Sequence, residues 1–331
     1  MKIAIIRLSS LGDIISTLVF LEYLKSEVKD LHITWIVDSN FREMLQNSSF
    51  IDEICDIPLR KSKRDRKLIF ECFRRIRNLK EFELVLDFQG LIKSAIIGKI
   101  LKTKKIIGYD KFSIRERLAS LFYTKKVSIA YNEHILKRQY AILQTAFNLK
   151  KDFSLQMLEH RDKTIGVLES EKLKNIFNKE KKILFILEAS KEQKEYPLDS
   201  FYQVALGIEK KYRDVRIYLI WDKKESEIKN LASRSNVFYF LPHLNLAEIK
   251  FLISNMNLII GGDTGLTHLS WALKIPSITL YGNTPIERFK LDGENHISIC
   301  KIKQEKIVKN DFSIAQIEPE LILSHIKDLL K

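Results

Sequence analysis

The chain has 331 residues, 45% of them hydrophobic, with only 11 Gly and 6 Pro. That length suits roughly two domains with full-sized cores and excludes a single small module. Lys and Arg number 56 against 42 Asp and Glu, a formal charge of +14, which calls for a polyanionic surface, a charged lipid or nucleic acid as partner.

Residues 2–7 read as a buried strand, followed by a turn over 8–13 and an apolar helix over 14–24, so the chain opens on a β-turn-α unit. Further strands are expected at 33–37, 83–87 and 105–108, separated by helical patterns. Basic residues concentrate over 60–67 and again over 74–77, and such runs form either solvated faces or a contact for an anion. An amphipathic helix over 132–147, with Ile135, Tyr140, Leu143 and Phe147 on one side, closes the first half. A polar segment over 150–182 leads to a second alternation, with strands at 183–187, 215–220, 258–260 and 277–280. The last helix, over 319–330, is a candidate for packing back on the first half. Strands alternating with helices predict an α/β architecture of parallel, doubly wound sheets in two domains, residues 1–160 and 161–331.

No run of about 18 uncharged apolar residues occurs, and residues 1–7 make too short an apolar segment for a signal peptide. A soluble, cytoplasmic protein is expected. Cys55, Cys72 and Cys300 are widely spaced and lack a ligand pattern, so neither a disulfide framework nor a structural zinc is indicated.

In open α/β sheets ligands collect at the carboxyl ends of strands. The turn after the first strand carries Asp13, and the turn Gly261-Gly262-Asp263-Thr264-Gly265 follows the apolar run 258–260. An apolar strand, a glycine-rich turn and a helix start put backbone N–H groups and the positive helix end against a phosphate. The same residues also begin purely structural helices, with Asp or Thr as cap. Neither turn has G-x-G-x-x-G or G-x-x-x-x-G-K-[ST] spacing, which argues against a dehydrogenase or a P-loop ATPase. A sugar-nucleotide transferase, with acceptor and donor domains on either side of a cleft, fits better.

Three runs carry a resemblance: residues 7–15 (RLSSLGDII), residues 87–95 (DFQGLIKSA), and residues 263–269 (DTGLTHL) followed by Tyr281-Gly282. Together with residues 118–123 they occur in the order found in the ADP-heptose:lipopolysaccharide heptosyltransferases, and the chain resembles the type I branch of that family. The resemblance implies a GT-B fold, two Rossmann-like domains facing across a cleft. It implies an inverting, metal-independent transfer of L-glycero-D-manno-heptose from ADP-heptose to Kdo of Kdo2-lipid A, with no cofactor. Asp13 matches the family's catalytic base, although it also stands where a helix cap would.

On the donor side the resemblance points to Ser190 and Lys194 for the diphosphate, with Ala189 replacing a family hydroxyl. It places Asp263, Thr264, Gly265 and His268 beside the sugar and diphosphate, and Leu244 against adenine. The ribose carboxylate aligns poorly: Glu225 and Glu227 are both candidates and Ser226 holds the nominal position. On the acceptor side it points to Ser10 and Gly12, the basic set Arg60, Lys61, Lys63 and Arg64, and the further positions Lys93, Arg115, His134 and Arg138. Gln89 reads equally as an acceptor contact or as a buried polar turn. Peripheral contact with an anionic inner membrane at its cytoplasmic face follows from the lipid acceptor. A monomer is expected, with a hinge near residues 150–162. A nucleic-acid binder would account for the charge alone, but no recognition motif accompanies it.

Overall fold

Aliphatic and β-branched runs form the inner strands, because a parallel strand covered on both faces needs apolar side chains on each. The computed structural model describes all residues except Arg64, Arg66, Asn178, Glu180, Asp292 and Lys331, and only the backbone of Lys63. The chain divides into two compact units, Met1–Gly166 and Val167–Lys331.

In the first unit β1 (Lys2–Ile6), β2 (His32–Asp38), β3 (Glu53–Ile57), β4 (Leu84–Asp87), β5 (Ile106–Tyr109) and β6 (Lys125–Val127) pair in the order β3-β2-β1-β4-β5-β6, all parallel. The helices are α1 (Leu11–Leu18), α2 (Leu21–Glu27), α3 (Arg42–Leu45), α4 (Lys67–Arg77), α5 (Ile92–Ile100) and α6 (Ile135–Phe147). The single helix expected over 14–24 is thus two. The Ser16 and Thr17 hydroxyls donate back to the Asp13 carbonyl at 2.9 and 3.0 Å, a bonding pattern that bends helices, and the chain steps at Val19 and Phe20. Within the segment expected to be polar, residues 150–182, short 3-10 turns form at Leu155–Leu158 and Arg161–Thr164. At Gly166 an added Cβ would lie 2.0 Å from the Asn47 backbone, so only glycine lets the chain pass there.

The second unit repeats the winding. Strands β7 (Lys181–Ile186), β8 (Val215–Ile220), β9 (Phe238–Phe240), β10 (Leu258–Gly262), β11 (Ser277–Tyr281) and β12 (His296–Cys300) pair as β12-β11-β10-β7-β8-β9, again all parallel. Its helices are α7 (Leu198–Lys211), α8 (Glu225–Ala232), α9 (Leu246–Ser254), α10 (Gly265–Ala272), α11 (Ile286–Phe289) and α12 (Pro319–Leu329). Both orders reverse direction once, between β1 and β4 and between β7 and β10, the point where doubly wound sheets open a crevice. Register carries this through: Ile6 pairs with Asp87 and Gly261 with Ile186, so in each unit two chains leave the sheet side by side at the reversal.

The core of the second unit centres on Phe185, Tyr196 and Phe201, with ring centroids 4.9 and 5.2 Å from Phe201. Helix α12 is seated on α7 of its own unit. Its buried face of Ile322, Ile326 and Leu329 joins that core, and Leu323 lies over Gly207. Among the described residues no helix is long and apolar enough to cross a membrane.

Ile326 is fully enclosed in this core. Ile326→Ala should lower the opening free energy of the α7 amides, measured by hydrogen exchange, by about 3 kcal/mol. Unchanged protection of α7 would refute the packing role given to α12.

Candidate functional site

At the reversal of the first unit, β1 ends in a buried arginine. Arg7 is 5% exposed, its Nη2 lies 2.7 Å from Asp13 Oδ1, and its Nη1 donates to the Phe88 carbonyl on the neighbouring β4 turn. Asp13 sits in the first turn of α1, where the helix dipole favours an anion. Its Oδ2 accepts from the Ser10 hydroxyl at 2.9 Å and the Ser10 amide at 3.2 Å. The side chain keeps 32% exposure, so the carboxylate is oriented from below by Arg7 and Ser10 while remaining open to solvent.

The β4 turn is held by a second carboxylate. Asp87 is wholly buried and accepts from the Gln89 and Gly90 amides (2.9 and 3.1 Å), the Ser94 hydroxyl (2.8 Å) and the Tyr123 phenol (2.8 Å). Burial pushes its pKa up, and these four donors oppose that shift. The turn so fixed presents Gln89 Oε1 to the Leu8 and Ser9 amides at 2.9 and 3.1 Å. Gln89 is half-buried, and its side-chain carbonyl oxygen positions the Asp13 loop.

The other acceptor-side residues divide into exposed and structural ones. Lys61, Lys93 and Arg115 are exposed, and Arg60 is exposed with its guanidinium 4.8 Å over the Phe41 ring. The Asp38 carboxylate holds the Arg60 amide at 2.9 Å, fixing the start of that basic loop. Gly12 is half-buried at the α1 entrance. Arg64 and the Lys63 side chain lie outside the described residues. Arg138, expected as an acceptor cation, is 5% exposed. It donates to the Ala130 and Ser113 carbonyls, each at 2.7 Å, and stacks 4.6 Å over Tyr109, and so braces the loop after β5. His134 caps α6, its Nδ1 accepting the Leu136 amide at 3.3 Å.

At the reversal of the second unit, Asp263 is 5% exposed and closes β10. Lys194 Nζ, from the segment after β7, donates to its Oδ2 and to its carbonyl, and His268 Nε2 lies 3.1 Å from its Oδ1. Burial alone would raise the Asp263 pKa, but His268 and the Lys194 ammonium outweigh it and hold the carboxyl well below the usual range. Glycine is required at 262, where a Cβ would meet the Lys194 carbonyl at 2.0 Å. Thr264 caps α10, its amide bonded to Thr267 Oγ1 at 3.1 Å, and Gly265 begins the helix. Two buried polar atoms here, Thr264 Oγ1 and His268 Nδ1, have no partner among the described residues. An unpaired hydroxyl at a helix amino end suits a ligand that brings its own oxygens.

Ser190 is exposed and Leu244 is buried ahead of α9. Glu225 and Glu227 are both exposed on the first turn of α8. Unanticipated from the sequence is Glu188, whose carboxylate accepts the Asp222, Lys223 and Lys224 amides at 2.8, 3.0 and 3.1 Å and so shapes the loop before α8. Glu195 joins it by accepting the Ala189 amide at 3.1 Å and pairing with Lys224. The available signal was a charge ending an apolar run, shared by Arg7, Asp87, Glu188 and Asp263. Among the described residues no three His, Cys, Asp or Glu side chains group to hold a metal ion.

Comparison with known proteins places this arrangement. The model of glycosyltransferase family 9 (heptosyltransferase) matches residues 69–316. The chain belongs to that family. Lipopolysaccharide heptosyltransferase 1 of Campylobacter coli is 37% identical, covering 99% of both chains. Lipopolysaccharide heptosyltransferase 1 of Escherichia coli K12 is 26% identical over 93% of this chain and 96% of its own. In fold, the chain matches E. coli heptosyltransferase WaaC with ADP-2-deoxy-2-fluoro heptose (TM-score 0.81, 22% identity, 99% of each chain) and E. coli heptosyltransferase II (TM-score 0.77, 18% identity, 100% and 98%). The architecture is accordingly GT-B, and the protein is a glycosyltransferase, a heptosyltransferase of lipopolysaccharide inner-core synthesis. The fold does not separate types I and II, whereas the Campylobacter and Escherichia sequence relatives are both of type I.

The Asp263 ion set predicts a pH signature. A carboxyl with a depressed folded pKa adds stability above its unfolded value near about 4, and that contribution is lost as pH falls through the folded value. Asp263→Asn should cost about 3 kcal/mol at neutral pH. The gap from wild type in thermal unfolding should narrow as pH drops below about 4; a gap independent of pH would refute the assignment.

Proposed function

We propose that the chain transfers L-glycero-D-manno-heptose from ADP-heptose to the Kdo of Kdo2-lipid A, with inversion, without a metal ion or cofactor, and as a monomer. The observation that carries this reading is the buried Asp263–Lys194–His268 set at the amino end of α10, with the Thr264 hydroxyl unpaired among the described residues. A diphosphate supplies acceptor oxygens for the Thr264 hydroxyl and the Lys194 ammonium, and Lys194 together with the helix end supplies the positive charge that a divalent ion would otherwise bring.

In this reaction the acceptor hydroxyl oxygen bonds to C1 of the heptose as the bond from C1 to the diphosphate oxygen breaks. The hydroxyl proton passes to the Asp13 carboxylate and ADP leaves with the electron pair. Arg7 and Ser10 hold Asp13 in one orientation, which leaves the solvent-exposed part of the carboxylate to accept that proton. Ser190 is proposed as a second diphosphate contact, Leu244 as the adenine contact, and Glu225 or Glu227 as the ribose contact. For the anionic groups of the acceptor, exposed Arg60, Lys61, Lys93 and Arg115 are the candidates, with Lys63 and Arg64 beside Lys61 in sequence. A lipid-linked acceptor places the protein peripherally on the cytoplasmic face of the inner membrane.

The deciding experiment is transfer from ADP-heptose to Kdo2-lipid A with EDTA present. Wild type should turn over, and Asp13→Asn should keep ADP binding while losing about 10²- to 10⁴-fold in kcat. Near-normal turnover of the variant would remove Asp13 as base, and tight ADP binding without transfer would redirect the acceptor assignment. Replacing Arg60 and Lys61 by Ala should raise KM for the acceptor and leave that for the donor; equal effects on both would argue against the acceptor loop.

A further inference from the structure

Three elements of the first unit lie on one side of its sheet. The connections β3 to β4, β4 to β5 and β5 to β6 all advance in the same direction across the strand order, and right-handed crossovers then put α4, α5 and the 3-10 helix Arg117–Phe122 on the same face. They pack in sequence, α4 against α5 and α5 against the 3-10 helix. Helix α4 turns Cys72 and Ile76 inward, four residues apart. Its outward side carries Lys67, Arg74 and Arg77 with Phe70, 77% exposed, set among them, and Phe73 and Ile69 continue an exposed apolar flank toward the buried face. The 3-10 helix repeats the pattern, since residues three apart eclipse each other and bring Leu118 and Leu121 to one edge, 62% and 72% exposed.

Such an outward aromatic and aliphatic surface is costly in water unless something covers it. The exposed charged side chains on these elements are all basic. Arg74 and Arg77 are exposed on α4, Lys99 on α5 and Arg117 on the 3-10 helix, whereas Glu71 on α4 is tied to Arg75. A protein partner selects aromatic residues in a core depleted of like charge, but large apolar side chains set among arginines and lysines match a bilayer with anionic headgroups.

We propose that this face is the membrane-docking surface, with Phe70, Phe73, Leu118 and Leu121 entering the acyl boundary and the surrounding arginines meeting lipid phosphates. The inference deepens the peripheral location that follows from a lipid-linked acceptor, and rests on that reading only for its biological setting.

The test uses the full chain with vesicles of mixed phosphatidylethanolamine and phosphatidylglycerol, against phosphatidylcholine vesicles, at low and high salt. Wild type should co-sediment with the anionic vesicles and less so in high salt. The double variant Phe70→Ser with Leu121→Ser should partition about tenfold more weakly for each side chain removed. Arg74→Glu with Arg77→Glu should lose binding to anionic vesicles in particular. Transfer to a Kdo acceptor stripped of its acyl chains should stay at the wild-type rate in both, because none of these residues belongs to the site. Should the serine pair unfold the protein, Phe73→Ser with Leu118→Ser asks the same question. Vesicle binding unaffected by the apolar substitutions, or no binding by wild type, overturns the proposal. So does a Phe70-dependent dimer in sedimentation, which would assign the face to a second copy. Vesicle binding that depends on Phe70 and Leu121 in a protein that transfers no heptose would leave this surface standing and discard the substrate reading instead.

Discussion

The reversal of winding between β1 and β4, repeated between β7 and β10, is the constraint from which both candidate sites follow. At a reversal the two neighbouring connections depart to opposite sides of the sheet, so the strand ends between them are not roofed by a crossover. Polar groups can emerge there from an otherwise apolar sheet. Arg7 and Asp87 end the adjacent strands in one unit, and Glu188 and Asp263 follow or close the adjacent strands in the other. A charge at such a position is largely desolvated and has to be paired, which makes each reversal a node of hydrogen bonds as well as an opening.

The two units use the same winding for opposite electrostatic ends. In the first, the cation is buried and the carboxylate is left accessible: Arg7 lies beneath Asp13 and orients it. In the second, the carboxylate is buried and the cation is nearer the surface, Lys194 being held over Asp263 with His268 alongside. A group that accepts a proton has to be reachable, whereas a group that receives an anionic leaving group must present positive charge. In the proposed transfer, the inverted arrangement of buried and exposed partners would meet those two needs.

Support for these groups comes from farther out. Asp87 shapes the turn from which Gln89 reaches Leu8 and Ser9, 81 and 80 residues away in sequence, and so acts on the Asp13 loop at one remove. Tyr123 enters the same network from beyond β5, and Gly108 makes room for its ring, since a Cβ there would come within 2.5 Å of it. The motif resembling the family in residues 87–95 is thus a positioning device before it is a binding surface. Arg138 belongs to the same class: its guanidinium ties down backbone carbonyls of the loop after β5.

Local pattern determined a definite part of this protein. The inner strands β1, β2, β4 and β5, and their counterparts β7, β8, β10 and β11, are legible because burial on both faces imposes continuous apolar runs. So are the turns that carry Asp13 and Asp263 and the order of the family motifs. The strands that escaped the reading, β3, β6, β9 and β12, are the edges of the two sheets. An edge strand is paired on one side and partly wet, so Glu53–Ile57 and Lys125–Val127 carry charged residues among the apolar ones and show no periodic run. Only the tertiary structure decided which charges are spent inside the fold and which remain outside. Arg138 and Lys61 look alike in sequence, and Glu188 resembles any surface glutamate, because a side chain's exposure depends on groups brought close by pairing across the sheet, whereas periodicity records only the residue's immediate neighbours.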